Sequence, residues 1–268
     1  MPDVTAAGPL LAASCYYGLV LGTAEISRRV LDRTVSKKSP FHRFLIEVFG
    51  TAQICTCVFE NALIVQHYGV SSFFIVTSVL GFLFSSTGRG SYGTPLSPIE
   101  MLYYGEMRQV VTISAAPFRR SGWWSCCLEY RQSFVVPLAA LFSSTYGNVC
   151  EKSKYVFHSS QVSLAFEVAG CFAMRLVLPK LPSNAAKFLA PAFVASLFSF
   201  AILFVGDAGL DPVVASSLFF GCGGLSAQWF ILLYWVSPVV GWMIGAFVSR
   251  QPVRTPKKSK RSTKKKTD

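Results

Sequence analysis

The residues of this chain that could do chemistry are a few ionisable groups in or near long apolar segments. Glu47 and Glu167 lead two similar stretches, Asp211 precedes Pro212, and Arg175 stands inside an apolar run. Ionisable groups at such places are costly in a bilayer and are usually paired or functional. We expect these residues either to form structural hydrogen bonds or to serve a proton pathway, and the sequence gives no account of Arg175.

Other kinds of chemistry find little support in the residue spacing. His42, His67 and His158 are scattered over three segments without a carboxylate or nucleophile at useful spacing, and they are interpreted as surface or interfacial histidines. The eight cysteines include Cys55 and Cys57, but this spacing does not put two thiols on one helix face, and the chain has no C-x-x-C pair. We therefore expect no catalytic residue, no metal site and no cofactor.

The elements that must position the ionisable residues are membrane helices. Of the 268 residues 52% are apolar and only 14% are charged, and the mean hydropathy is +0.45. So little polar surface cannot cover a soluble core of this size, which excludes a soluble enzyme. Segments without Asp, Glu, Lys or Arg that match the length of a bilayer span recur at 4–24, 68–88, 132–149, 188–206 and 212–249.

The distribution of positive charge predicts the topology. Nine of the 25 Lys and Arg residues fall in the last nineteen positions, and 21 of the 25 lie on one side of the predicted spans, which the positive-inside rule makes cytosolic. The net charge of +12 therefore points to lipid head groups, and no nucleic-acid partner is expected. The first span is interpreted as an anchor with its N-terminus outside, with a cleaved signal peptide as the alternative. The predicted spans are 8–27, 44–65, 68–88, 125–148, 158–179, 188–206 and 227–248.

Two apolar segments have the wrong length for ordinary spans. Residues 212–249 form a charge-free run of 38 residues, too long for one span of about 20 and too short for two with a turn. This run fits a half-helix followed by a full helix. The half-helix would begin at Pro212 and end at the glycines of 221–224. Pro95 stands in the same relation to the short segment 96–104.

The two predicted half-helices occupy matching places in an internal repeat. Glu47-Val48-Phe49-Gly50 begins 48 residues before Pro95, and Glu167-Val168-Ala169-Gly170 begins 45 residues before Pro212. Each unit has three full helices, and this odd number of crossings inverts the second copy, so that the half-helices meet near the midplane. Their N-terminal ends would oppose cations there and leave a path for neutral solutes, as in a channel. The alternative is that the two prolines only kink ordinary helices.

Residues 41–248 resemble the aquaporin (major intrinsic protein) family, and in particular its divergent intracellular superaquaporin branch. The stretch Tyr234-Trp235-Val236-Ser237-Pro238-Val239-Val240-Gly241 is similar to the family's last helix, and Cys222 has the offset of a cysteine characteristic of superaquaporins. Glu47 and Glu167 fall where the family keeps a glutamate in each repeat. The boxes that stand in place of the family's Asn-Pro-Ala signatures are Thr94-Pro95-Leu96 and Asp211-Pro212-Val213.

The resemblance implies an all-α membrane protein with an aquaporin-like inverted repeat. We expect an extra transmembrane helix and basic linker in residues 1–40, six core helices with two re-entrant half-helices in 41–249, and a basic cytosolic tail in 250–268. The family also implies one pore per subunit, a homotetramer, and a structural role for Glu47 and Glu167, which would hold the box loops through hydrogen bonds.

The departures from the family pattern bear on selectivity. The Thr94 hydroxyl can cap a helix and still donate a hydrogen bond to water. An ionised Asp211 donates no hydrogen bond and would cancel part of the positive charge of the helix ends that opposes cations. If burial keeps the Asp211 carboxyl neutral, it can donate a hydrogen bond again. Val214 occupies the position of the family's filter arginine, which predicts a more apolar pore. Counting back from the boxes places Phe74 and Ser199 at the other filter positions.

The function expected from these features is passive conduction of water and small neutral solutes such as glycerol or hydrogen peroxide. One alternative is a proton-coupled transporter that uses Asp211 with Glu47 or Glu167, and another is a structural protein with the same fold and no open pore. Lys265 and Lys266 are third and fourth from the end, a dilysine pattern that predicts residence in the endoplasmic reticulum or another intracellular membrane, with the plasma membrane as the alternative.

Overall fold

The computed structural model describes residues 4–37, 39–104, 160–206, 209–219 and 226–249, and all regular structure in these ranges is helical. The predicted span at 125–148 and Cys222 lie outside them. The elements are α1 (Val4–Thr34), α2 (Pro40–Thr87), α3 (Leu96–Tyr103), α4 (Ser160–Val177) with a 3-10 turn (Leu178–Lys180), α5 (Ala186–Phe204), α6 (Pro212–Phe219), α7 (Ala227–Ile231), a π-helical turn (Leu232–Val236) and α8 (Ser237–Ser249).

Five of these helical stretches are long and apolar enough to cross a bilayer. They are Gly8–Thr34, Phe41–Thr87, Gln161–Lys180, Ala186–Phe204 and Ala227–Ser249. The second of them is 47 residues long, about twice the length of one span, and its helix is interrupted at Gly69, where φ is 77° and ψ is −179°. Glycine adopts this backbone conformation readily, so the chain turns there, at the second residue of the predicted span 68–88. The prediction of an all-α membrane protein is confirmed.

The helices α3 and α6 are short, as the sequence predicts. Each has eight residues and is therefore about 12 Å long, well under the ~30 Å hydrocarbon core of a bilayer. Pro212 is the first residue of α6, where its missing N–H breaks no helical hydrogen bond, and Pro95 flanks the start of α3. Neither proline kinks a continuous helix, so the alternative of two ordinary kinked spans is wrong.

Small residues let the full helices approach each other closely. A Cβ built on Gly241 of α8 would overlap the main chain of Val168 on α4, so these helices touch backbone to backbone. Gly81 of α2 lies against the side chain of Pro191 on α5, and the rings of Phe82 and Phe188 stack beside them with centroids 4.5 Å apart. Glycine at these contacts therefore lets the helices approach more closely than a larger side chain would allow.

Candidate functional site

The loop before α3 is held by a carboxylate of α2. Glu47 accepts hydrogen bonds from the Ser91 hydroxyl at 2.9 Å and from the Tyr92 N–H at 3.0 Å, and it also accepts from the Gly93 N–H. Gly50, one turn further along α2, leaves space for Ser91, because a Cβ at this glycine would collide with the Ser91 side chain. Glu47 and Gly50 together fix the path of residues 91–93.

The loop before α6 is held in the same way by α4. Glu167 is fully buried, and its two carboxylate oxygens accept hydrogen bonds from the Gly209 N–H at 2.5 Å and the Leu210 N–H at 2.8 Å. Gly170, again three residues after the glutamate, gives space to the Leu210 side chain. The repeat visible in the sequence therefore corresponds to one structural arrangement that occurs twice. In each copy the glutamate of a Glu-x-x-Gly pair binds N–H groups of a loop, and the glycine leaves space for a side chain of that loop.

Each loop enters its half-helix through a residue with a left-handed backbone. Gly93 has φ of 65° and stands directly before Thr94, and Leu210 has φ of 48° and stands directly before Asp211. Glycine adopts this conformation freely, whereas a side chain such as that of Leu210 makes it less favourable by roughly 1–2 kcal/mol. The two N–H bonds to the buried carboxylate and the packing of the leucine side chain offset this strain in the second loop.

The tips of the two half-helices touch. The Oδ1 atom of Asp211 caps α6 by accepting from the N–H groups of Val213 at 2.7 Å and Val214 at 3.1 Å, and the Asp211 carboxylate also accepts a hydrogen bond from the Thr94 hydroxyl. The Leu96 N–H lies 3.4 Å from the Thr94 oxygen, a long distance for a cap. The Thr94 hydroxyl, which the sequence suggested as a donor to passing water, thus donates its hydrogen bond to Asp211.

A buried ion pair holds the other end of α3. The guanidinium of Arg175 on α4 donates to both carboxylate oxygens of Glu100 on α3, at 2.7 and 2.6 Å, and the indole N–H of Trp242 on α8 donates to the same carboxylate at 2.7 Å. Arg175 and Glu100 are 1% and 2% exposed. Sequence reasoning left Arg175 unexplained and missed Glu100, although an arginine in a membrane helix requires an anionic partner.

The last helix supports α6 through its aromatic residues. The indole N–H of Trp235 donates to the Ser216 hydroxyl at 3.0 Å, and the ring of Tyr234 stacks on Phe219 with centroids 5.2 Å apart. Both aromatic residues belong to the π-helical turn just before Pro238. The motif that predicted the last helix therefore has two functions, since its aromatic residues contact α6 and its Gly241 contacts α4.

The three proposed filter residues lie on three different elements. Val214 is buried on α6. Phe74 and Ser199 are partly exposed on the second half of α2 and on α5, two helices that pack together. The Ser199 hydroxyl donates to the Ala195 carbonyl of its own helix at 2.8 Å. The role of these residues as a filter stays a prediction.

The described ranges hold no group of three or more His, Cys, Asp or Glu residues that could bind a metal ion. Cys15, Cys57 and Cys171 are free thiols. Of the two alternatives for the histidines, a surface position does not hold for His42, which is buried and lies with its Nε2 2.9 Å from Asp32 Oδ1, and an interfacial position stays a prediction. The partner is ten residues away along the chain and on another helix, a relation that sequence spacing does not reveal.

Comparison with known proteins gives two relatives over nearly the full length. The chain is 31% identical over 273 residues to a protein described as "Putative aquaporin-10" from Caenorhabditis elegans, a match that covers 96% of each chain. It is 26% identical over 251 residues to "Aquaporin-11" from Milnesium tardigradum, covering 92% of this chain and 89% of the other. No family model matches the chain. No solved structure matches it.

Proposed function

Because this chain belongs to the aquaporin family, whose members are membrane channels and not enzymes, we propose that it conducts water and small neutral solutes passively along the paired half-helices. The pore boxes in this proposal are Thr94-Pro95-Leu96 and Asp211-Pro212-Val213. No catalytic step and no cofactor is part of it.

The observation that carries the proposal is the contact between the two half-helix tips, where the Thr94 hydroxyl donates to the Asp211 carboxylate. Each tip is the N-terminal end of a short helix and carries roughly half a positive charge. Oriented N-terminal ends at one point oppose cations and do not act on neutral solutes, and the Asp211 carboxylate at the tips cancels part of this barrier to cations. Glu47 and Glu167 support this arrangement because they hold both loops by their main-chain N–H groups.

The residue at the filter position supports a broader solute range than water alone. Val214 offers no charge and no side-chain hydrogen bond, so a constriction built with it and with Phe74 is more apolar than one with an arginine. We infer that glycerol and hydrogen peroxide pass as well as water. Ser199 is the one hydroxyl among the three proposed filter residues, and it is already bonded to its own helix.

Stopped-flow measurements on proteoliposomes that contain the full chain test the proposal. A channel gives rapid water and solute flux with a low activation energy, and we expect this result together with measurable glycerol and peroxide flux. A proton-coupled transporter, for which the carboxylate of Asp211 at the tips would be the proton site, gives slow flux that follows a pH gradient. A structural protein without an open pore gives only the flux of empty liposomes. Either of the last two results overturns the proposal.

We further propose an intracellular membrane, with the endoplasmic reticulum as first choice, and a homotetramer with one pore per subunit. The apolar helices make the chain a multi-pass membrane protein, and the dilysine pattern at Lys265 and Lys266 supports the compartment if the tail is cytosolic. Replacing both lysines by serine should move a tagged protein out of the reticulum. Light scattering of the purified protein in detergent should give the mass of four chains, and a monomer mass contradicts the assembly.

A further inference from the structure

Helix α1 lies outside the repeated unit and is nevertheless bound to α2 by polar groups inside the membrane region. Its residues contact α2 through hydrogen bonds as well as through an apolar cluster around Ala13 and Val20. The hydrogen bonds join the Leu10 N–H to the Tyr68 hydroxyl at 2.9 Å, the Tyr17 hydroxyl to Asn61 Oδ1 at 2.6 Å, and the Arg28 guanidinium to Gln53 Oε1 at 2.7 Å. A helix that acted only as a membrane anchor would not require such specific partners.

An arginine of the loop between α2 and α3 forms ion pairs with α1. Arg89 follows the end of α2 and donates to Asp32 Oδ2 at 2.5 Å and to Glu25 Oε1 at 2.8 Å. The two acidic residues are seven positions apart, two helical turns, so they lie on the same face of α1. Arg89 has φ of 51° and Gly90 φ of 87°, so this turn requires an external constraint at its non-glycine residue.

Cationic side chains outnumber the two carboxylates around this arginine. Arg28 is 1% exposed and interacts electrostatically with both Glu25 and Arg89. Glu25 also pairs with Arg29, and Asp32 also pairs with Lys37 and lies against His42. Arg89 differs from these cations because it lies on the loop and bonds to both carboxylates, so its removal breaks both ion pairs between the loop and α1 while Glu25 and Asp32 keep their other partners.

The same loop is fixed at a second point, only two residues further along. Ser91 and Tyr92 are bonded to Glu47 of α2, and Thr94 then begins the pore box. The stretch from residue 89 to residue 94 thus has one attachment to α1 and one to α2 before it reaches the tip contact with Asp211. A loop of this length with two fixed points has little freedom at Thr94.

We propose that Glu25 and Asp32 of α1 are positioning residues for the pore: they hold Arg89 and through it set the place of the first box and its contact with Asp211. The extra helix is then a part of the permeation machinery and not only an anchor. The effect on flux rests on the proposed channel function, whereas the effect on the loop does not.

The chain offers a matched pair of variants for the test. Arg89 and Arg29 both donate to Glu25 Oε1, at 2.8 and 2.9 Å, but Arg29 lies on α1 itself and its side chain is 69% exposed, against 27% for Arg89. Both are changed to Gln in the full chain, and Arg89→Lys keeps one charge as the conservative variant. We expect the permeability per channel to water to fall about threefold or more in Arg89→Gln, to recover in part in Arg89→Lys, and to stay unchanged in Arg29→Gln.

A second readout follows the loop without reference to conduction. Spin labels attached through ketone-bearing residues at Val30 on α1 and Tyr103 on α3, which are 54% and 73% exposed, report the distance between the helices by pulsed EPR. We expect a shifted or broader distance distribution in Arg89→Gln and the wild-type distribution in Arg29→Gln. A purely stabilising contact would lower the melting temperature and leave both the distance and the water-to-glycerol permeability ratio unchanged.

The outcomes separate the two proposals. If the wild-type chain gives no flux above that of empty liposomes but the distance between the spin labels changes in Arg89→Gln, the channel function is refuted and the role of Glu25 and Asp32 in positioning the loop stands. If Arg89→Gln matches Arg29→Gln in the distance distribution and in permeability, the positioning role is overturned, whatever the wild-type flux. If Arg89→Gln does not yield folded protein, Arg89→Lys is measured in its place. A spin-label distance and a flux equal to those of the wild type in Arg89→Lys then overturn the proposal.

Discussion

Replacement of Asp211 by Asn removes the charge at the half-helix tips and keeps the helix cap. Asn caps a helix as well as Asp, and its side-chain oxygen can keep the bonds from the Val213 and Val214 N–H groups at 2.7 and 3.1 Å. Its amide N–H can donate to the Thr94 hydroxyl oxygen, so the bond between the tips is kept with its direction reversed. Two helix ends of about half a positive charge each face one carboxylate, so an ionised Asp211 makes the net charge about zero and Asn raises it to about plus one. We therefore expect Asp211→Asn to reduce the leak of protons and other cations.

The size of this effect follows from distance. A cation that passes about 4–8 Å from the carboxylate gains about 2–4 kcal/mol at an effective dielectric constant of about 20, so its removal should lower the leak by about thirty- to a thousandfold. Glu60→Gln is the matched control, since Glu60 is a buried acidic residue of α2 that interacts with Tyr17. It removes one buried carboxylate from a membrane helix other than the two half-helices.

The assay is dye-monitored proton flux into proteoliposomes with the membrane potential clamped, alongside water flux on the same vesicles. Water flux shows that the pore remains open in each variant. Equal proton leak in the wild type and in Asp211→Asn, at unchanged water flux, would refute the argument, because the carboxylate would then not set the barrier. A reduced leak in Glu60→Gln would refute it as well, since the effect would not be specific to the tips.

Three further changes test the support of the half-helices. Glu167→Gln turns one acceptor into a donor that faces a loop N–H, so we expect a loss of about 1–3 kcal/mol of stability, seen as a lower melting temperature in detergent. Gly170→Ala pushes a methyl group against the Leu210 side chain and should lower solute flux, whereas Gly22→Ala on α1 meets open space and should not; equal flux in both contradicts the close fit. Arg175→Met leaves the buried carboxylate of Glu100 without its cation and should cost about 3–5 kcal/mol, most of which the added change Glu100→Gln should restore if the pair is only structural.

The sequence predicts those parts of the fold that local patterns determine. The half-helices follow from the lengths of apolar runs and from Pro95 and Pro212, and the structure gives eight residues to each. Glu47 and Glu167 are visible because they recur at similar distances from these prolines. Gly50 and Gly170 stand in the same two motifs, three residues after the glutamates. Their function becomes clear only in the structure, where a loop side chain packs against each of them, because a helix motif does not show which segment will pack against it.

The contacts between distant segments are not predictable in this way. Arg175 pairs with a carboxylate 75 residues earlier in the chain, and Arg89 binds two acidic residues 57 and 64 positions before it. Sequence reasoning can state that a membrane arginine requires an anion. It cannot choose Glu100 among the available carboxylates, because the choice depends on the depth and rotation of helices, which packing determines.

The support of the two half-helices is separate from the chemistry that a passing solute meets. Glu47 and Glu167 bind main-chain N–H groups, which every loop sequence except proline supplies, so the loops keep their path whatever side chains stand in the boxes. Asp211 caps its helix through one oxygen, a function that Asn performs equally. The boxes can therefore differ from the family signature without loss of the fold. It follows that substitutions at the tips should change what permeates, whereas substitutions at the two glutamates should change whether the half-helices are in place at all.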